Sequence, residues 1–192
     1  MELLADGIHC VLDELNIDLA HFMGHSLGGY VALAFVEKYE SKIDHLILLN
    51  STTVSDSSEK RRNRERAIKM IKLNPELYIG IAITGLFAEK NRKQFSAKID
   101  SMKKEALDFS IKGIIALIKG MKERNDRTSI LKNFPRKKYM ICGIEDPLFQ
   151  LSSMEKLSKT CNTMLFKIDG GHMSVNENWN EIVKIMHFID FL

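Results

Sequence analysis

Leu19-Ala-His-Phe-Met-Gly-His-Ser-Leu-Gly-Gly-Tyr30, continuing as Val31-Ala-Leu-Ala-Phe-Val-Glu-Lys-Tyr-Glu40, is the stretch around which the chain is organised. Leu19 to Met23 is a short apolar run suited to a buried strand, and Leu27 to Tyr39 reads as a helix. Between them lies Gly24-His25-Ser26-Leu27-Gly28, a G-x-S-x-G sequence in strand-to-helix context. Such a turn exposes Ser26 at its tip, and a side chain at position 24 or 28 is expected to clash across it. The helix N-terminus then sets free amides beside the hydroxyl, and the Leu27 N–H can bond a developing oxyanion. A glycine-rich strand–helix turn that carries a serine by chance is the bland alternative. The flanking strand and helix weigh against it.

Working outward, residues 2–15 place Leu4, Ile8, Val11, Leu12 and Leu15 at helical spacing, an amphipathic helix that ends near Asn16. Ile43 to Asn50 is a second apolar strand, so residues 19–50 form a strand–helix–strand unit with a parallel pairing. Residues 52–133 change character: Lys, Arg and Glu abound, and apolar residues recur at spacings of three and four, as in Ala67, Ile68 and Ile71. Three to five helices inserted between two strands are expected there. After Pro135 the alternation returns, with strand 138–142, helix 150–158, strand 163–168 and a closing helix from Trp179 to Phe191. The expected fold class is α/β, a parallel sheet with flanking helices and an inserted helical cap. The core comprises residues 1–51 and 134–192, and the cap residues 52–133.

A chain of 192 residues, 45% hydrophobic and 28% charged, suits one globular domain with an insertion. The longest apolar stretch, Tyr78 to Ala88, is too short to span a bilayer, and the Met1-Glu-Leu-Leu-Ala-Asp6 start does not resemble a signal peptide. Cys10, Cys142 and Cys161 read as buried thiols of a reducing, cytoplasmic compartment, without metal-ligand spacing. No metal or other cofactor is expected. The net charge of +3 conceals an asymmetry: residues 56–132 hold 19 Lys and Arg against 10 Asp and Glu, the remainder 9 against 15. Solvated helix faces explain that excess most simply, and an anionic substrate or acidic partner is the functional alternative. No nucleic-acid motif accompanies it.

Gly24-His-Ser-Leu-Gly-Gly29, followed after one helix by Lys42-Ile-Asp-His-Leu-Ile-Leu-Leu-Asn-Ser51, resembles the α/β-hydrolase superfamily, in particular its small capped esterase-like members. The resemblance implies a nucleophile, an acid and a histidine in that chain order. Downstream of Ser26 the histidines are His45, which opens a strand, His187, which lies mid-helix, and His172. His172 sits in Asp169-Gly-Gly-His-Met-Ser-Val, a loop after a strand that looks like the family's histidine loop, and it is the expected general base. Tyr139-Met-Ile-Cys-Gly-Ile-Glu-Asp-Pro147 matches the family's strand-then-Gly-x-x-Asp segment, making Asp146 the orienting carboxylate, with adjacent Glu145 as the competing choice. Asp169 suits a turn-capping role better. His25 is expected to shape the pocket rather than to react.

Family members that open carbon–halogen bonds or epoxides carry aspartate at the elbow, so Ser26 favours acyl transfer on a small-molecule substrate: ester, lactone or thioester hydrolysis, or carbon–carbon cleavage. In the family the nucleophile strand follows earlier strands, one of which leads into a loop, often His-Gly, that supplies a second oxyanion donor. Only 25 residues precede Ser26. The chain therefore reads as a fragment lacking those strands, with impaired turnover and an exposed edge at 19–23 open to self-association. A non-catalytic interaction module built on the same half-sheet is the reading from another class.

Overall fold

Leu46, Ile47, Leu48 and Leu49 have no solvent exposure at all, and their alternation decides how the layers stack. The computed structural model describes residues 1–190. Its four strands are β1 (Ala20–His25), β2 (Ile43–Leu49), β3 (Lys137–Gly143) and β4 (Met164–Ile168). They form one sheet in the order β1-β2-β3-β4, every neighbouring pair parallel. Because side chains on a strand alternate between faces, Leu46 and Leu48 enter one core and Ile47 and Leu49 the other.

The helices in chain order are α1 (Glu2–Glu14), α2 (Leu27–Tyr39), α3 (Ser58–Leu73), α4 (Pro75–Leu86), α5 (Ser96–Leu107), α6 (Ile111–Glu123), α7 (Thr128–Asn133), α8 (Leu151–Cys161), α9 (Ser174–Glu177) and α10 (Trp179–Phe188). On one face Leu46, Leu48, Met140 and Cys142 pack with Leu33 and Phe35 of α2, Ala5 of α1, Leu131 of α7 and Leu157 of α8. On the other, Ile47, Leu49, Ile141 and Ile168 meet Ile182, Ile185 and Met186 of α10. The α/β architecture read from the sequence is thus present, a parallel sheet with flanking helices and helices inserted between β2 and β3. Among the described residues no helix is long and apolar enough to cross a membrane.

The inserted segment starts where local chemistry says it should. The Ser57 hydroxyl accepts the Lys60 N–H at 3.2 Å to cap α3, and the Asn74 side-chain Oδ1 accepts the Leu77 N–H at 3.0 Å to cap α4, with Pro75 in its first turn. Helices α3, α4, α5 and α6 pack on one another, whereas α7 packs against α2 and α8 beside the sheet.

Two expectations need correction. Cys10 is exposed, because α1 turns Ile8 and Leu12 to the core and a residue two positions from each points away. The closing helix ends at Phe188 rather than continuing, and Phe191 lies outside the described residues.

The charge asymmetry has a structural counterpart. Arg127, 2% exposed, binds Glu2 and Glu37, and Lys90 binds Glu145 and Asp169, so cations of the basic segment meet carboxylates of the rest. Within the segment Asp56 is enclosed by Arg64 and Arg124, each at 2.7 Å, and the Arg124 guanidinium lies 4.0 Å above the Tyr30 ring of α2. Burial alone would raise the Asp56 pKa, but the two guanidinium bonds outweigh it and hold the carboxyl below its ordinary value.

A carboxyl depressed in the folded state contributes stability that is fully present above its unfolded pKa, about 3.9, and is lost as the pH falls through the folded value. Asp56→Asn leaves the buried Arg124 guanidinium and the partly exposed Arg64 guanidinium without their carboxylate and should cost about 3 kcal/mol at pH 7. In urea unfolding the gap between wild type and variant should narrow below about pH 4. A gap of equal size at pH 7 and pH 3 would show that the charge on Asp56 is not what holds the segment.

Candidate functional site

The carboxyl ends of four adjacent parallel strands each deliver one side chain to the same place. Register aligns His25 of β1 with Leu49 of β2, Leu49 with Ile141 of β3, and Gly143 of β3 with Ile168 of β4. Ser26, Asn50, Asp146 and His172 follow those strand ends.

Ser26 has φ 53° and ψ −116°, a conformation that costs a non-glycine residue about 1–3 kcal/mol. The turn is held from below: the Ser26 N–H donates to the Leu49 carbonyl at 3.0 Å, and the Ser51 hydroxyl donates to the Ser26 carbonyl at 2.7 Å. A Cβ at Gly24 would lie 2.6 Å from the Gly28 oxygen and the Gly29 Cα. The second crowded position is not Gly28, where a Cβ meets nothing within 4 Å, but Gly29, where it would lie 2.2 Å from the Ser51 Oγ and 2.5 Å from its Cβ. The sequence expectation for Gly28 is therefore corrected. Helix α2 turns position 28 outward and position 29 down onto the neck after β2.

The Ser26 Oγ lies 2.7 Å from the His172 Nε2, and the His172 Nδ1 lies 2.8 Å from the Asp146 Oδ2. His172 and Asp146 are both buried. Asp146 takes two further donors on its other oxygen, the Leu148 N–H at 2.8 Å and the Phe149 N–H at 3.3 Å, while its Oδ2 also accepts the Asn50 side-chain N–H at 2.8 Å. Surrounded by donors, the carboxylate accepts the His172 Nδ1–H. That leaves Nε2 as an acceptor for the Ser26 hydroxyl proton.

Asn50 was not singled out in the sequence. Its φ is 44°, its amide also donates to the Gly171 carbonyl at 3.2 Å, and its carbonyl accepts the Ser174 hydroxyl. One buried side chain thereby joins the loops after β2, β3 and β4. Glu177 is a second unforeseen tie: its carboxylate accepts the Gly171 N–H at 2.9 Å, the Ala88 N–H at 3.1 Å and the Asn91 amide at 2.7 Å. The Leu86 carbonyl accepts both the His172 and the Met173 N–H. The inserted helices therefore hold the backbone that carries His172.

The other residues weighed in the sequence fall elsewhere. His25 donates its Nε2–H to the His172 carbonyl at 2.8 Å, and burial lowers its pKa, keeping it a neutral imidazole near neutral pH. Glu145 and Asp169 both turn to Lys90. Burial pushes the Cys142 thiol up to about 12, so it stays protonated beside the site. Leu27 opens α2, placing its amide at the N-terminus beside Ser26. A cavity of about 770 Å³ lies behind the Asp146 loop, lined by Thr52, Lys60, Leu148, Phe149 and Met154 among others but not by Ser26. Phe149, one of the lining residues, has its ring centroid 5.7 Å from that of His172.

Residues 1–93 match the family model described as alpha/beta hydrolase fold. A thermophilic esterase from Thermogutta terrifontis superposes with a TM-score of 0.89 at 26% identity, covering 97% of this chain and 70% of that one. A Serratia proteamaculans (strain 568) protein that carries the name carbamate hydrolase RutD is 28% identical over 97 residues, 50% of this chain and 36% of its own length. A 2-hydroxy-6-oxononadienedioate/2-hydroxy-6-oxononatrienedioate hydrolase of Paraburkholderia phymatum is 42% identical over 43 residues, 22% of this chain and 15% of its own. The chain thus spans about a third or less of the length of these two curated relatives.

The two glycine positions should respond differently to substitution. Gly29→Ala should lose about 1–3 kcal/mol from overpacking against Ser51, while Gly28→Ala should be neutral or gain up to about 1 kcal/mol from helix propensity. Thermal or urea unfolding of both variants checks the order. Equal losses would mean that the neck between α2 and Ser51 is not the tight contact.

Proposed function

Because the chain belongs to the α/β-hydrolase superfamily, we propose that it is a serine hydrolase of carboxylic esters or related acyl substrates. Ser26 is the nucleophile, His172 the general base and Asp146 the orienting acid. The observation that carries this reading is the continuous line from Ser26 Oγ to His172 Nε2 at 2.7 Å and from His172 Nδ1 to Asp146 at 2.8 Å.

In this mechanism the Ser26 oxygen attacks the acyl carbon as its proton passes to His172 Nε2. The imidazolium formed is stabilised by the Asp146 carboxylate, which keeps its charge. The negative carbonyl oxygen of the tetrahedral intermediate takes the Leu27 N–H, supported by the positive end of α2. Collapse transfers the His172 proton to the leaving alcohol and leaves an acyl-Ser26 ester. Water then repeats the sequence, its proton going to His172 and the Ser26 oxygen taking that proton back as the acid departs. Residues 52–133 act as a cap over this centre and set which acyl group enters.

A carbon–carbon bond hydrolase is the second reading. It is favoured by the 42% identity over 43 residues to an enzyme named for hydrolysing 2-hydroxy-6-oxo dienedioates. The same three residues would serve it, with a carbon leaving group protonated in place of the alcohol.

Hydrolysis of p-nitrophenyl acetate and butyrate tests the proposal. Ser26→Ala and His172→Ala should each lower kcat/KM by at least about 10³-fold. Asn50→Ala, which frees the Asp146 carboxylate to shift, should cost about 10- to 100-fold in kcat with KM little changed. Esterase activity that survives Ser26→Ala, or no activity towards any acyl substrate, contradicts the reading.

A further inference from the structure

At the amino ends of the strands, opposite the Ser26 site, the pairing of β1 and β2 is irregular. Ala20 pairs with Ile43, but Phe22 pairs with Leu46, so one residue of β1, His21, faces two of β2, Asp44 and His45. Consecutive residues of a regular strand point to opposite faces and cannot share a ligand. A bulge re-aims one of them, and parallel pairs carry bulges rarely. Here its result is convergence: the Asp44 Oδ2 lies 3.0 Å from the His45 Nδ1 and 3.6 Å from the His21 Nδ1. The two imidazole rings stand edge to face, 4.5 Å apart. One donor atom from each of the three lies within 4.8 Å of the others.

We infer that His21, Asp44 and His45 form a binding site for a divalent transition-metal ion, Zn²⁺ foremost, that staples strand β1 to β2. Two imidazole nitrogens and one carboxylate oxygen are a zinc donor set, and water completes the four. Zinc–donor bonds of about 2.0–2.1 Å put tetrahedral donors about 3.3 Å apart, the range that the 3.0 and 3.6 Å spacings bracket. His45 is buried while His21 and Asp44 are partly exposed, so the ion has a fixed inner ligand and an entry path. The cation across the pairing, Lys137 of β3, turns its ammonium 4.0 Å from Asp190.

His21 and Ser26 are five residues apart along β1, roughly 16 Å at strand rise, so the ion does not touch the acyl chemistry and this inference is independent of the proposed reaction. Its consequence is mechanical: β1 is a sheet edge, paired on one side by β2 and carrying Ser26 at its far end. An ion shared by both strands resists fraying of that edge.

The 192-residue chain, stripped with EDTA and exchanged into metal-free buffer at pH 7.5, is titrated with Co²⁺ by visible absorption and with Zn²⁺ by calorimetry. We expect one ion per chain, with a Zn²⁺ Kd of about 10 μM or tighter and a raised thermal midpoint. His21→Ala and Asp44→Asn, both at partly exposed positions, should keep the wild-type far-UV circular dichroism and weaken binding at least tenfold. His9→Ala, which removes the His9–Asp13 pair on α1, should leave affinity unchanged. Binding that survives both His21→Ala and Asp44→Asn, or a wild-type Kd above about 1 mM, overturns the inference.

Discussion

The parallel register of four adjacent strands is the constraint on which the site depends. Neighbouring parallel strands end on the same edge of a sheet, and the residues that follow them meet there without any long excursion of the chain. Ser26, Asn50, Asp146 and His172 stand at four such ends. A slip of one residue in any pairing would turn the buried apolar set of that strand to the wrong core as well as misplace its polar residue. The completely buried Leu46, Ile47, Leu48 and Leu49 therefore secure the geometry of the site together with the fold.

Polar ties refine what the register makes approximate. Asp146 accepts four hydrogen bonds from four different residues, and Asn50 uses both ends of its amide on the loops after β3 and β4. Buried groups so fully satisfied have one arrangement, which is what a proton relay requires. The helices between β2 and β3 take part in this arrangement. Through Leu86, Ala88 and Asn91 they bind the segment from Gly171 to Glu177, so His172 is gripped by the sheet and by the insertion at once.

Elements with local signatures were legible in the sequence: the apolar runs of β1 and β2, the period of α2, and the glycine-flanked Ser26 between them. His172 and Asp146 were legible through order and loop context, and the structure draws them and Ser26 into one hydrogen-bonded line. Asn50 was not, because an asparagine after a strand has many uses, and its partners Asp146, Gly171 and Ser174 are some 96 to 124 positions away. Glu177 was hidden for the same reason. Gly28 and Gly29 were indistinguishable in the motif; which of them is crowded depends on Ser51, placed beside them by β2. The facing of His21 with Asp44 and His45 arises from a pairing irregularity that no spacing along the chain announces.

The proposed activation of Ser26 by His172 is read directly by covalent labelling. Incubation of the chain with a fluorophosphonate at neutral pH, followed by peptide mass spectrometry, should place one phosphonyl group per chain on Ser26. The rate should fall at least a hundredfold in His172→Ala, as expected for a serine deprived of its base. Labelling elsewhere in the chain, none at Ser26, or an undiminished rate in His172→Ala would contradict it.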